Sequence, residues 1–292
     1  MRTVLSVLLL SCLSMAPTVL AAEDRTLHVV VMDPLSAPLS CDCVKGYAQR
    51  KYEKLGEYLA KTLGRPVKVT WSESLVKAAK ETGGPTPLVI GKHSVVLHDA
   101  AKLQRKMQPI AALTGSDGET VQSGLLVVRA ADPAQGASDL AGYRIFFGPE
   151  DCDEKSAVIV DLLKANKLPV PAEKETCPSC SNAAAKLMEL KAGDKATAVI
   201  SSYAERLLEG CGTVKKGDLR VIARSKPVPF ITAFVDASLS TAEQETIKSA
   251  LLAVAEHVEL LEALETEAGF VPFEPIPPEP AATSGTGTSK KN

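Results

Sequence analysis

Short apolar, β-branched runs alternate with stretches of helical periodicity along most of this chain. That alternation constrains its fold more than any other feature. Leu27–Met32 (LHVVVM) is apolar at nearly every position, as a buried strand is. Within 47–63, Leu55, Tyr58, Leu59 and Leu63 fall at helical spacing; Gly64 ends the helix and Pro66 leads into a strand at Val67–Trp71. Residues 88–90 read as a third short strand closed by Gly91. Strands at 124–128 and 143–147 flank a loop with Asp132-Pro133, and 156–165 is a helix. Strands at Ala196–Ser201 and 219–223 follow, then one long amphipathic helix over 241–263. Strands alternating with helices predict parallel βαβ units and an α/β fold. There is no internal repeat. The tail over 274–292 is rich in Pro, Glu, Ser and Gly and is expected to be disordered, because it cannot build a core.

The N-terminus reads as an export signal rather than part of the fold. Arg2 precedes an apolar run over 4–15, and Val19-Leu20-Ala21 is a small-residue cleavage site. This predicts a secretory signal peptide over 1–21, cut after Ala21, and a periplasmic or secreted protein. The run is too short for a membrane anchor, no later stretch is long and apolar enough to span a bilayer, and Cys12 lies too early for a lipoprotein cysteine. The 292 residues carry 33 Lys and Arg against 35 Asp and Glu, so no concentrated basic surface is available for nucleic acid. Aromatic residues make up 4%, which argues against a carbohydrate site of stacked rings. Gly-x-Ser-x-Gly, Walker, His-Glu-x-x-His and dinucleotide fingerprints are all missing, and a non-catalytic protein is expected.

Cys41, Cys43, Cys152, Cys177, Cys180 and Cys211 remain after cleavage. Three readings stand side by side. An even number in an exported chain suggests disulfides. Cys41-x-Cys43 and Cys177-Pro-Ser-Cys180, with Cys152, could instead hold a soft metal, Zn or Cu, through thiolates. Cys177-Pro-Ser-Cys180 ahead of a helix beginning near Asn182 could support thiol–disulfide chemistry.

Five segments, in order, resemble one family: 52–67 (YEKLGEYLAKTLGRPV), 88–94 (LVIGKHS), 139–148 (DLAGYRIFFG, similar to the family's DLKGKRIAFG), 219–229 (LRVIARSKPVP) and 268–272 (AGFVP). They are similar to the PhnD-like periplasmic phosphonate- and phosphate-binding proteins of ABC importers, which have the type II periplasmic-binding fold. The resemblance implies two α/β lobes with two hinge crossings: 22–125 with 230–273 as the first lobe and 126–229 as the second. It also implies a small-molecule ligand held between the lobes, an ABC permease as partner, and a monomer. Ligands of such sheets lie at the carboxyl ends of strands and at helix N-termini.

The loops after the strands ending at Met32, Ile90, Phe147 and Ile200 should then face the cleft, and five of the six cysteines fall on loops expected to ring it. Candidate ligand contacts are Tyr47, Lys92, His93, Ser94, Lys155, Ser156, Ser201, Ser202 and Tyr203. Each has a plainer reading: a solvated loop for 92–94, helix capping for the serines, and core or lid packing for Tyr47. The family's second lobe carries a Ser-Thr-Ser-Gly-type turn that cradles an anionic head group. Here the matching stretch is 150–156 (EDCDEKS), acidic at four of seven positions. A carboxylate close to a bound phosphonate would repel it by roughly 1–4 kcal/mol. The scaffold is therefore expected to carry over better than the ligand.

Overall fold

A computed structural model describes residues 26–40, 49–82 and 86–277. The expected signal peptide over 1–21, Cys41, Cys43, Tyr47 and the tail beyond 277 lie outside the described residues. Among the described residues no helix is long and apolar enough to cross a membrane.

The chain builds most of one lobe, crosses to build a second, and returns to finish the first. The first lobe begins with β1 (Leu27–Met32), α1 (Tyr52–Leu63), β2 (Val67–Trp71), α2 (Leu75–Thr82), β3 (Leu88–Lys92), α3 (His93–Lys102) and β4 (Met107–Leu113). The short β5 (Val121–Gln122) lies on the outward crossing. The second lobe comprises β6 (Gly124–Arg129), β7 (Arg144–Phe147), α4 (Ala157–Ala165), β8 (Glu175–Thr176), α5 (Cys180–Met188), β9 (Ala196–Ser201), α6 (Ala204–Gly210) and β10 (Leu219–Arg224). β11 (Val228–Pro229) lies on the return crossing. β12 (Ile231–Asp236), α7 (Thr241–Leu252), α8 (Val258–Ala263) and β13 (Phe270–Pro272) complete the first lobe. The six-stranded sheet has the order β13-β4-β12-β3-β1-β2 and the five-stranded sheet β10-β6-β9-β7-β8; β5 and β11 pair with each other across the two crossings.

The apolar runs follow from this layering. In β1, Val29 and Val31 pack with Leu55 and Leu59 of α1 and Ile247 and Leu251 of α7, whereas Val30 and Met32 pack with Leu75 of α2 and Val96 of α3. Both faces of the strand are covered, so alternation gives way to continuous hydrophobicity. The second lobe repeats the scheme. Leu125, Val127 and Phe146 face Ala183 and Leu187 of α5, and Leu126, Val128 and Phe147 face Ile159 and Leu163 of α4.

The fold adds β4 and β12, which are not among the expected strands, and departs from the expectations in strand direction, at Gly91 and within 241–263. The sheets are mixed rather than parallel: β12 runs antiparallel to β3 and β4, and β6 runs antiparallel to β9. Both are strands that arrive from the other lobe and so enter the sheet from the opposite end. β3 does not stop at Gly91 but continues to Lys92, because a Cβ at 91 would lie 2.5 Å from the Met32 Cβ and only glycine lets the strands approach. The long helix over 241–263 is divided into α7, a 3₁₀ turn over Ala253–Glu256, and α8. The Tyr58 hydroxyl takes the Ala250 carbonyl at 3.1 Å, and His257 is extended at φ −119°. The break brings Val254, Leu260 and Leu264 into one core.

Candidate functional site

Two features lie where the lobes meet, an open cavity and a sealed ion pair. The cavity has a volume of about 790 Å³. Leu35 and Arg50 reach it from the segments between β1 and α1. Residues 121–123 supply its crossing side, Ser202, Tyr203, Arg206 and Leu207 come from the segment after β9, and Arg224 and Phe230 flank the return crossing. Its buried floor is polar. Gln122 is 3% exposed, and neither its amide nitrogen nor its amide oxygen has a hydrogen-bond partner. Tyr203 stacks on Phe230 with ring centroids 4.9 Å apart.

Arg50 is oriented by the fold of the first loop. Its Nη1 donates to Asp33 at 2.9 Å, the Tyr52 hydroxyl donates to the same carboxylate oxygen at 2.6 Å, and the Leu35 N–H donates to the other oxygen. Burial works against the guanidinium charge, but Asp33 and Tyr52 together outweigh it and hold Arg50 above its ordinary range. The Arg50 Nε is left without a partner. At the rim, Arg206 and Arg224 stand among Asp117, Glu119, Glu205 and Glu265, all exposed.

The second feature joins the lobes directly. Lys92, at the end of β3, donates its Nζ to Glu154 Oε1 at 2.5 Å, and Ser201, at the end of β9, donates its hydroxyl to the same oxygen at 2.6 Å. Glu154 is fully buried and Lys92 nearly so. Beside them the Ser94 hydroxyl donates to the Asp151 carbonyl at 2.7 Å and accepts from the Asp153 N–H at 3.2 Å. The start of α3 is thus bonded to the second-lobe turn. Burial alone would favour a neutral Glu154. The charges of Lys92 and Lys155 and the two hydrogen bonds outweigh it and hold the carboxyl below its ordinary range. Burial works against the Lys92 ammonium, but the Glu154 carboxylate, with smaller contributions from Cys152 and Tyr203, holds it above its ordinary range. Gly124 makes the arrangement compact: a Cβ there would lie 1.8 Å from the Glu154 carbonyl oxygen.

The expected ligand residues therefore divide. Ser202 and Tyr203 line the cavity. Lys92, Ser94 and Ser201 are engaged in the clasp across the seam. His93 turns into its own lobe, where its ring stacks on Phe273 at 5.2 Å and lies 5.1 Å from Phe234, with Nδ1 3.1 Å from the Thr232 hydroxyl. Burial lowers its pKa to about 4. Lys155 is buried with its side chain over Gly148, and Ser156 accepts from Lys174 at 3.3 Å. The residues that sequence reasoning missed are Asp33, Arg50, Gln122 and Glu154. A signal existed for Asp33, the first residue of an expected cleft loop, and for the acidic stretch 150–156 as a whole, but not for Glu154 within it.

Cys152, Cys177, Cys180 and Cys211 are free thiols, so three disulfides are not formed. The backbone explains why Cys177 and Cys180 stay apart. The Cys177 N–H is tied to the Phe147 carbonyl, whereas Ser179 caps α5 and places Cys180 in its first turn. Cys180 is buried and accepts the Ser201 N–H at 3.3 Å. Burial pushes the Cys152 and Cys177 thiols up, against the activation that thiol chemistry needs. Among the described residues no group of three or more His, Cys, Asp or Glu is arranged to hold a metal ion.

The profile of the family described as "ABC transporter, phosphonate, periplasmic substrate-binding protein" matches residues 46–276. No curated protein matches the chain by sequence. Among solved structures, XAC2383 from Xanthomonas citri bound to ATP superposes with a TM-score of 0.65 at 15% identity, over 86% of this chain and 92% of that one. The phosphonate-transporter binding component PA3383 from Pseudomonas aeruginosa gives 0.62 at 14% identity, over 86% and 82%. PhnD1 from Prochlorococcus marinus in complex with methylphosphonate gives 0.60 at 14% identity, over 86% and 94%. The structural matches show the two-lobed fold. With the profile spanning most of the sequence, the chain belongs to the periplasmic substrate-binding proteins of ABC phosphonate transporters.

Proposed function

We propose that the chain captures a small zwitterionic organic solute in the cavity beside the crossings and delivers it to the permease of an ABC importer. It would do so as a monomer in the periplasm, after cleavage near Ala21. The observation that carries this reading is a cavity of about 790 Å³ lined by Gln122, whose buried amide has no hydrogen-bond partner. That volume lies in the range of small-molecule sites, and buried polar groups without partners are costly unless a ligand or water satisfies them. The stacked Tyr203 and Phe230 supply an apolar wall. The rim sets two arginines among four carboxylates, so a bare oxyanion would meet more repulsion than attraction. A ligand with both signs of charge fits that pattern. Neighbours of this fold are bound to ATP and to methylphosphonate, so the scaffold serves anions of different sizes.

An aminoalkylphosphonate, which carries both signs of charge, is the first compound to test, against methylphosphonate and inorganic phosphate. At a ligand concentration one hundred times its dissociation constant, stabilisation of about 2.7 kcal/mol is expected. Gln122→Leu and Phe230→Ala should each weaken binding at least tenfold. If no zwitterion shifts the unfolding midpoint, or Gln122→Leu leaves affinity unchanged, this assignment of the ligand site fails.

A further inference from the structure

Lys92 and Ser201 reach the seam from different lobes, one with an ammonium and the other with a hydroxyl, and both are buried. A charged donor and a neutral donor converging on one sealed point form a receptor for an oxyanion, because charge-assisted hydrogen bonds are strongest where water is excluded. The occupant of this receptor is a side chain of the protein itself. We infer that Glu154 is the resident anion of the seam: its carboxylate fills the position that Lys92 and Ser201 create, fastens lobe to lobe, and bars free phosphate- or phosphonate-type oxyanions from that position.

Three further observations support the assignment. Glu154 uses one carboxylate oxygen for both donors, and the other, also buried, has no partner, so the group underfills its place. The backbone is pressed to that place: the Glu154 carbonyl approaches Gly124 too closely for any side chain there, and Ser94 bonds the same turn at Asp151 and Asp153. Both donors belong to segments that the sequence marked as ligand-facing, yet each is spent on Glu154. The inference concerns the seam beside α3 and does not rest on the ligand proposed for the cavity.

The test uses inorganic phosphate as the probe, by calorimetry at constant ionic strength. Removing the resident carboxylate in Glu154→Ala leaves the Lys92 ammonium and the Ser201 hydroxyl free. The variant should bind one phosphate at least tenfold more tightly than the wild type, and adding Lys92→Met should abolish the gain. The inference is overturned if Glu154→Ala binds phosphate no more tightly than the wild type, or if the gain survives Lys92→Met. Should Glu154→Ala fail to fold in anion-free buffer, refolding with formate or phosphate becomes the readout. Recovery supports a vacated anion site, and failure with both anions overturns it. Adding Gln122→Leu separates the two sites, since the phosphate gained through Glu154→Ala should be indifferent to it, whereas a zwitterion in the cavity should not.

Discussion

Replacing Lys92 by methionine keeps the bulk of the side chain and removes its charge, which strands the fully buried carboxylate of Glu154 with the Ser201 hydroxyl as its remaining hydrogen-bond donor. Removing one member of a buried pair costs about 3–5 kcal/mol. An independent route gives a similar figure. The stranded carboxylate can relieve its desolvation by taking a proton. At pH 7, starting from an ordinary value near 4.5, this costs about 2.5 pH units at 1.36 kcal/mol each, or about 3.4 kcal/mol. The same relief at pH 5 costs about 0.7 kcal/mol. Urea unfolding of wild type and Lys92→Met should therefore show a loss of about 3–5 kcal/mol at pH 7 that shrinks by roughly 2.7 kcal/mol at pH 5. The double variant Lys92→Met, Glu154→Leu should recover most of it, because an apolar pair of similar volume removes the desolvation along with the attraction. A loss below about 1 kcal/mol, or one equal at the two pH values, would refute the view of a desolvated pair sealed between lobes.

Other outcomes can be checked more simply. Gly124→Ala should destabilise by about 2 kcal/mol or more in urea titrations, since its methyl would fall 1.8 Å from the Glu154 carbonyl oxygen; a neutral effect would mean the two segments are not in contact. His93 has a pKa of about 4, below its ordinary 6.5, so the folded protein binds this proton less readily than the unfolded chain. That contribution is fully present above 6.5 and is lost as pH falls toward 4, amounting to about 2 kcal/mol between pH 7 and 5. His93→Gln should flatten the stability profile over that window relative to wild type. In a Cys41→Ser, Cys43→Ser background a thiol reagent should react rapidly with the exposed Cys211 alone, and the buried Cys152, Cys177 and Cys180 should react only on unfolding.

The sequence signalled the layered α/β scaffold clearly, for a physical reason. Strands such as β1 are covered on both faces, and only continuous apolar runs satisfy that, so 27–32, 196–201 and the strand after Gly124 stand out. β4 was missed because Pro109 interrupts its pattern; in the sheet, Pro109 pairs with Phe234 where the register of β12 shifts. β12 was missed as well, with Thr232 and Asp236 in its run, and nothing local says that it returns from another lobe, on which the mixed direction of the sheets depends. The acidic stretch 150–156 was legible as a departure from an oxyanion cradle. Which of its acids turns inward was not, because burial of Glu154 is decided by Lys92 and Ser201, 62 and 47 residues away in sequence. Gln122 was invisible for the same reason. A lone glutamine after an ordinary loop acquires meaning only when the two crossings bring the walls of the cavity around it.

Those crossings have a mechanical consequence. Val228 pairs with Gln122 and Pro229 with Val121, so the two connections form a single antiparallel ribbon. Separate linkers would let the lobes twist and shear independently, whereas a ribbon tied by hydrogen bonds gives way mainly by bending across its own face. Twist or shear between the lobes would break those pairings, whereas bending along the ribbon, like the spine of a book, would keep them. Gln122 sits on that spine, where small angular changes widen the cavity least at the floor and most at the charged rim.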